Sequence, residues 1–188
     1  MTDQQSPDLS RAPAAAAEHV HRLRREVVDF PSEGIVFQDL TPLLADGDGF
    51  GGVVDEIAAS AASDRLDAVV GVEARGFPYA AAVARALGVG VLLARKPGKL
   101  PLPDARVAFD LEYGSDALEI SSTLPAGSRV LVVDDVLATG GTLAAAVELC
   151  AAVGLEVSAA HIVLELPALG GRDAVSVPLR VVAALPQA

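Results

Sequence analysis

RVLVVDDVLATGGT, residues 129–142, decides how the rest of the chain is read. It opens on an unbroken aliphatic run, Val130 to Val133, of the kind expected in a strand buried on both faces. Two carboxylates stand next, side by side, Asp134 and Asp135. The chain then turns through Ala138, Thr139, Gly140, Gly141 and Thr142 into the helical pattern GGTLAAAVELCAAVG. Glycines let a backbone curl until several N–H groups point at one spot, and the helix after them adds partial positive charge. Thr139 and Thr142 add hydroxyl donors. Such a cradle suits one phosphate. The aspartates would repel phosphate but accept hydrogen bonds from vicinal sugar hydroxyls, so a ribose 5-phosphate satisfies both halves. A lone GGT would read as a strand-to-helix turn with a capping threonine; the strand and the paired aspartates ahead of it say more. The turn is not followed by Gly-Lys-Ser/Thr and is not itself a G-x-G-x-x-G, which disfavours a nucleoside triphosphatase and a dinucleotide fold.

Outward from this stretch, short apolar runs alternate with helical patterns. LDAVVGV, GVLLAR, DALEIS, EVSAAHIVLEL and PLRVVAAL read as strands, and ARGFPYAAAVARALG as a helix ending on Gly88. Nearer the N-terminus, residues 14–28 read as a helix stopped by Pro31 and Gly34. GIVFQDLTPLL reads as a loop or short extended piece, and DGDGFGGVVDEIAASAA as glycine breaks and then a helix. Residues 96–112 contain three prolines and no clear period, and are expected to form a long mobile loop. The alternation predicts an α/β fold with a doubly wound, mainly parallel sheet, as one domain over residues 14–188. Residues 1–13 are expected to be a disordered polar tail. In such sheets ligands bind beyond the carboxyl ends of the strands, which directs attention to the turns after Val72, Ala94 and Val133.

The chain of 188 residues carries a formal net charge of -11, yet its only two lysines, Lys96 and Lys99, stand together with Arg95 in RKPGKLP. That concentration in a glycine- and proline-broken stretch points to a ligand more negative than the protein. The acidic balance argues against nucleic acid as a partner. No apolar run approaches the roughly 20 residues of a membrane span, and no secretory signal is evident, so no membrane association is expected. Cys150 is the only cysteine, which excludes an internal disulfide and fits a reducing cytoplasm. His19, His21 and His161 have no metal-ligand spacing.

VLVVDDVLATGGT resembles the phosphoribosyl-pyrophosphate motif of the type I phosphoribosyltransferases. With GIVFQDLTPLL, GVEARGF, RKPGKLP and LEYGSDALEI in that order, residues 28–172 resemble the adenine-using branch of that family. The resemblance implies transfer of ribose 5-phosphate from phosphoribosyl pyrophosphate to adenine, giving AMP and pyrophosphate, by a magnesium-dependent homodimer. It implies a small N-terminal hood that carries the base-binding loop. Magnesium would be held mainly by substrate oxygens and water, with no direct protein ligand expected. Ala138, Thr139, Gly140, Gly141 and Thr142 would form the phosphate loop, and Asp134 and Asp135 the ribose carboxylates. Glu73, Ala74, Arg75 and Gly76 would form the pyrophosphate loop, with a cis peptide at Glu73–Ala74 and Arg75 as its charged contact. Arg95, Lys96 and Lys99 would add cations, often across a dimer interface. The loop from Lys96 to Tyr113 would close over the site, with Tyr113 filling the closed loop. Glu112 would be the general acid–base residue facing adenine N7. Phe37 would stack on the base, the backbone of Val36 and Gln38 would read its edge, and Leu166 would touch its other face.

Three positions depart from the family pattern. Gln38 stands where relatives often carry a basic residue, Phe109 stands where many have a tyrosine, and the stretch PLPDARVAF is the chain's own. None touches the phosphate cradle. A related enzyme for xanthine or guanine would share the cradle, but the lysine such pockets commonly use for the 6-oxo group has no candidate outside RKPGK. A ligand-sensing regulator on the same fold would need a basic face or an added DNA-binding domain.

Overall fold

The computed structural model describes residues 12–111 and 114–186. Its centre is a five-stranded sheet in which every neighbouring pair is parallel. In chain order the sheet strands are β3 (Ala68–Val72), β4 (Gly90–Ala94), β7 (Arg129–Leu137), β8 (Glu156–Glu165) and β9 (Leu179–Ala184). They lie in the order β4-β3-β7-β8-β9. From β3 the chain steps one way to β4, and from β7 it steps the other way to β8 and β9. The order therefore reverses between β3 and β7, and the crevice at their carboxyl ends is where such sheets take ligands.

Both faces of the sheet are covered. Alternate residues of the central strands divide between two apolar clusters. Val69, Leu131 and Val133 pack with Val20, Leu43, Ile57, Tyr79 and Val83 on one face. Val70, Val130 and Val132 pack with Leu118, Ile120, Leu143 and Leu149 on the other. The first face is covered by α1 (Ala12–Leu23), α2 (Thr41–Ala45), α3 (Gly47–Ala61) and α4 (Gly76–Leu87). The second is covered by α5 (Gly141–Ala152) and an antiparallel hairpin of β5 (Ala105–Leu111) and β6 (Gly114–Ile120). This is the doubly wound arrangement expected from the alternation of patterns.

The differences from expectation lie at the ends of the chain's patterns. The first helix stops at Leu23, and Arg25–Val28 forms a strand, β1, paired antiparallel with β2 (Val36–Asp39). Arg25 grips Asp39 across this ladder at 2.5 Å, and Phe30 meets Phe37 edge-on at 5.1 Å. Pairing and side-chain contact thus outweigh a helical spacing that rested on Val27 alone. GIVFQDLTPLL supplies the short extended piece expected, β2, and then the helix α2, which was not expected. The glycines of DGDGFGG lie inside α3, because the Asp46 side chain accepts from the Gly49 N–H at 2.7 Å and caps it. That first turn also presses on its neighbours: a Cβ at Gly49 would stand 2.7 Å from Leu23 Cδ1. Half of the expected loop 96–112 is strand β5, whose Val107 is buried under α5 while its ladder runs from Ala105↔Ile120 to Leu111↔Gly114. DALEIS is accordingly a hairpin arm outside the parallel sheet.

His161 on β8 is buried on the sheet. Its Nε2 shares a 2.9 Å hydrogen bond with Ser60 Oγ, and Nδ1 has no partner among the described residues. Arg180, which holds Asp64 at 2.8 Å, is its register neighbour on β9. Burial, and then the Arg180 charge, push the imidazole down to about 4, with Asp64 acting the other way. As pH falls below about 6.5 the unfolded chain takes up this proton and the folded chain does not, so stability is lost between about 6.5 and about 4. Denaturant unfolding at pH 7 and pH 4 is expected to show this loss, on the order of 3 kcal/mol, and His161→Gln is expected to remove that part of the pH dependence. An unchanged pH dependence in the variant would exclude the residue as its source.

Candidate active site

The strand β7 carries Asp134 and Asp135 into the crevice at the reversal point. Both are nearly buried, at 8% and 3% exposure. Desolvation raises the Asp134 carboxyl well above its ordinary range, and the neighbouring Asp135 charge raises it further. The Asp135 N–H, which donates to Asp134 Oδ1 at 2.8 Å, and the Arg75 cation act against this. Arg75 supplies the counter-charge, donating from Nε to Asp135 Oδ2 at 2.5 Å. Its guanidinium also lies 4.7 Å from the Phe37 ring centroid. Arg75 comes from the turn between β3 and α4, where the Glu73–Ala74 peptide is cis as expected. Gly76 lets that turn close on β7, since a Cβ there would stand 2.7 Å from Val133 O and 2.9 Å from Asp134 Oδ1.

Beyond the aspartates, Ala138 to Thr142 wrap into α5 with Gly140 in the left-handed region at φ +85°. The first-turn N–H groups of a helix have no partner within it, so this end of α5 presents donors. A cleft of about 430 Å³ unites these parts. Its walls are Glu73, Ala74 and Arg75 on one side and Asp134 to Leu143 on another, with Lys96, Phe109, Asp116 and Leu118 completing it. Eleven expected residues from three separate stretches thus share one cavity: Glu73, Ala74, Arg75, Lys96, Asp134, Asp135, Ala138, Thr139, Gly140, Gly141 and Thr142.

The basic loop is tied down on both sides. Glu73 Oε2 accepts from Lys96 N at 2.8 Å and from Arg95 Nε at 3.3 Å. Glu119 Oε2 accepts from Gly98 N at 3.1 Å. Lys96 Nζ meets Asp116 at 2.8 Å, and this hydrogen bond to Lys96 is the main reason the Asp116 carboxyl is held below its usual range. Asp116 is the charged cleft residue that sequence reasoning missed, alongside the apolar Leu118, Val136, Leu137 and Leu143. Asp116 stands in LEYGSDALEI, and only the hairpin register shows it facing Lys96.

Other expected residues lie off the cleft wall. Arg95 packs over Phe77, and Lys99 contributes its carbonyl to Arg95. Phe37 reaches the cleft through Arg75. Val36 is exposed on the hood, and the Gln38 side chain accepts from Arg24. Leu166 donates its N–H to Leu137 O at 2.9 Å, which places it beside the end of β7. Glu112 and Tyr113 lie outside the described residues. Among the described residues no group of three or more His, Cys, Asp or Glu is placed to hold a metal.

Because Asp134 is a buried carboxylate whose charge is disfavoured, Asp134→Asn is expected to stabilise the fold by about 1 kcal/mol at pH 7. The folded-state proton affinity is raised, so the native carboxylate costs most at high pH, and the gain should shrink as pH falls toward the ordinary aspartate range. Chemical denaturation at pH 5 and pH 7 checks both the sign and the trend.

The comparisons with known proteins agree with this geometry. Residues 44–175 match the model of the phosphoribosyl transferase domain. The chain is 58% identical over 154 residues to an adenine phosphoribosyltransferase of Saccharopolyspora erythraea, covering 81% of this chain and 83% of that one. It is 53% identical over 166 residues to one of Mycobacteroides abscessus, covering 87% and 93%. The crystal structure of the adenine phosphoribosyltransferase from Saccharomyces cerevisiae, complexed with an imino-altritol bisphosphate and adenine, superposes with a TM-score of 0.84. That superposition is at 36% identity over 90% of this chain and 99% of that one. The chain belongs to the phosphoribosyltransferase family, in its adenine phosphoribosyltransferase branch.

Proposed function

We propose that this protein is a purine-salvage transferase that moves the 5-phosphoribosyl group from phosphoribosyl pyrophosphate to adenine, forming AMP and pyrophosphate. The observation that carries the reading is the single cleft in which the phosphate loop, the paired aspartates and the pyrophosphate loop meet, in a chain more than half identical to adenine phosphoribosyltransferases. In the reaction the adenine N9 forms a bond to ribose C1′ as the C1′–O bond to pyrophosphate breaks, and the base gives up one proton.

Each element of the cleft has a part in that exchange. Backbone N–H groups and hydroxyls of Ala138 to Thr142 hold the 5′-phosphate. Asp134 and Asp135 accept from the ribose hydroxyls. Arg75 leaves Asp135 for the pyrophosphate, joined by Lys96, Arg95 and Lys99. Cations there stabilise a leaving group that gains charge, which favours the transition state over the ground state. Phe37 stacks on the adenine once the Arg75 guanidinium moves off its ring, with the Val36 and Gln38 backbone at the base edge and Leu166 on the opposite face. Glu112 would hold or relay the proton at N7, the role that the family resemblance implies for it.

Magnesium would be held by substrate oxygens and water, with no direct protein ligand, while the buried Asp134 and Asp135 carboxylates accept from the ribose hydroxyls. When bound, the ion neutralises pyrophosphate charge. We further assign residues 14–188 to one catalytic unit, as a homodimer in the cytoplasm. The family resemblance and the lone buried Cys150 support this assignment.

The deciding experiment offers adenine, hypoxanthine, guanine and xanthine separately with magnesium and phosphoribosyl pyrophosphate, and measures pyrophosphate release. Release with adenine alone is expected. Release with an oxopurine would keep the cradle and overturn the base pocket. Binding of phosphoribosyl pyrophosphate without release for any base would favour a ligand sensor. In the same assay Arg75→Ala is expected to lower turnover by about 100-fold or more while the circular-dichroism spectrum stays that of the wild type.

A further inference from the structure

Beyond Leu166, the turn after β8 has no part in the chemistry described so far, yet its backbone lies against the back of the phosphate loop. Two short 3-10 turns, Pro167–Leu169 and Gly171–Ala174, meet at Gly170. A Cβ at Gly171 would collide with Ala138 O and stand 2.9 Å from Gly140 N. The contact is reciprocal, since a Cβ at Gly140 would collide with Gly171 O and stand 2.9 Å from Ala174 Cβ. Backbone meets backbone here, so no flexible side chain can give way.

The turn is itself fixed. Arg172 Nε and Nη2 donate to the two Glu165 oxygens at 2.9 and 2.6 Å, a bidentate pair on a carboxylate with 8% of its side chain exposed. Glu165 ends β8, where it is paired in register with Leu137, the residue just before the phosphate loop. The same strand end sends Leu166 N–H to Leu137 O.

We propose that Gly171 is a positioning residue for the 5′-phosphate: its bare backbone, braced by the Glu165–Arg172 pair, is the template against which Ala138 to Gly140 are set. A phosphate cradle works only while its N–H groups converge, and a displacement of a few tenths of an ångström spoils several hydrogen bonds at once. This rests on reading Ala138 to Thr142 as the phosphate loop. It predicts a selective defect, because the pyrophosphate loop at Glu73 to Gly76 and the basic loop do not touch Gly171.

The test measures binding of ribose 5-phosphate and of inorganic pyrophosphate, by calorimetry, to wild type, Gly171→Ala and Arg172→Met, with thermal unfolding of each. Gly171→Ala is expected to weaken ribose 5-phosphate by about tenfold or more and to leave pyrophosphate within about twofold. Arg172→Met, which keeps the glycine and loosens the brace, is expected to weaken ribose 5-phosphate by about threefold with the same selectivity, and it carries the test alone if the alanine variant does not fold. Wild-type affinity for ribose 5-phosphate in both variants would overturn the proposal, as would an equal loss for both ligands. Failure of the wild type to bind either ligand would overturn the reading of the cleft as well.

Discussion

Two carboxylates held side by side near the end of a strand buried on both faces are a costly arrangement, and the surrounding elements are placed to support it. Left alone, Asp134 and Asp135 would repel one another in a site that water scarcely reaches. The Asp135 backbone N–H satisfies one Asp134 oxygen, and the Arg75 guanidinium pairs with Asp135. To bring that guanidinium within reach, the turn after β3 must press onto β7, which the bare Gly76 allows. The strand order that sets β3 beside β7 is therefore also what makes the carboxylates tolerable. A substrate that offers hydroxyls to the aspartates and phosphates to the arginine replaces one set of partners with another rather than stripping charges bare.

Much of this was legible in the chain itself. The strand at 129–137, the phosphate turn and the helix after it arise from local composition, because each is specified by neighbours in sequence. Parallel α/β sheets gather their strand ends, which pointed to the turns after Val72, Ala94 and Val133; the family resemblance then put Arg75, Lys96 and the aspartates in one site. What could not be read was pairing between distant segments. Val27 looked helical because nothing in its own neighbourhood reveals Phe37 as a cross-strand partner. RVAFDL looked like loop for the same reason, its ladder partner lying beyond a turn. Asp116 was one acid among many until the hairpin set it against Lys96. Gly171 gave no signal at all, since the close approach of two backbones leaves no side chain to notice.

The charge pattern has a common logic. Three of the four candidate cations are matched to carboxylates: Arg75 to Asp135, Arg95 to Glu73, Lys96 to Asp116. Those of Lys96 and Arg95 are partly exposed pairs, and such pairs contribute little net stability. They can exchange partners at small cost when a multiply charged anion arrives. An acidic protein thus keeps its few cations oriented without holding them so strongly that a ligand cannot take them.

The tethering of the basic loop has a mechanical meaning. Arg95 and Glu119 exchange both backbone hydrogen bonds, at 2.8 and 2.7 Å, so the end of β4 and the hairpin are joined at one rung. On the other side Glu73 holds the loop to the end of β3. The segment carrying Arg95, Lys96 and Lys99 is therefore a coupling rod between the fixed sheet and the β5–β6 hairpin. Any swing of the hairpin must pass through it and shift the cations as it goes. Access to the cleft and grip on an anion then become a single degree of freedom, so that opening the site and loosening its charge clamp occur in one stroke.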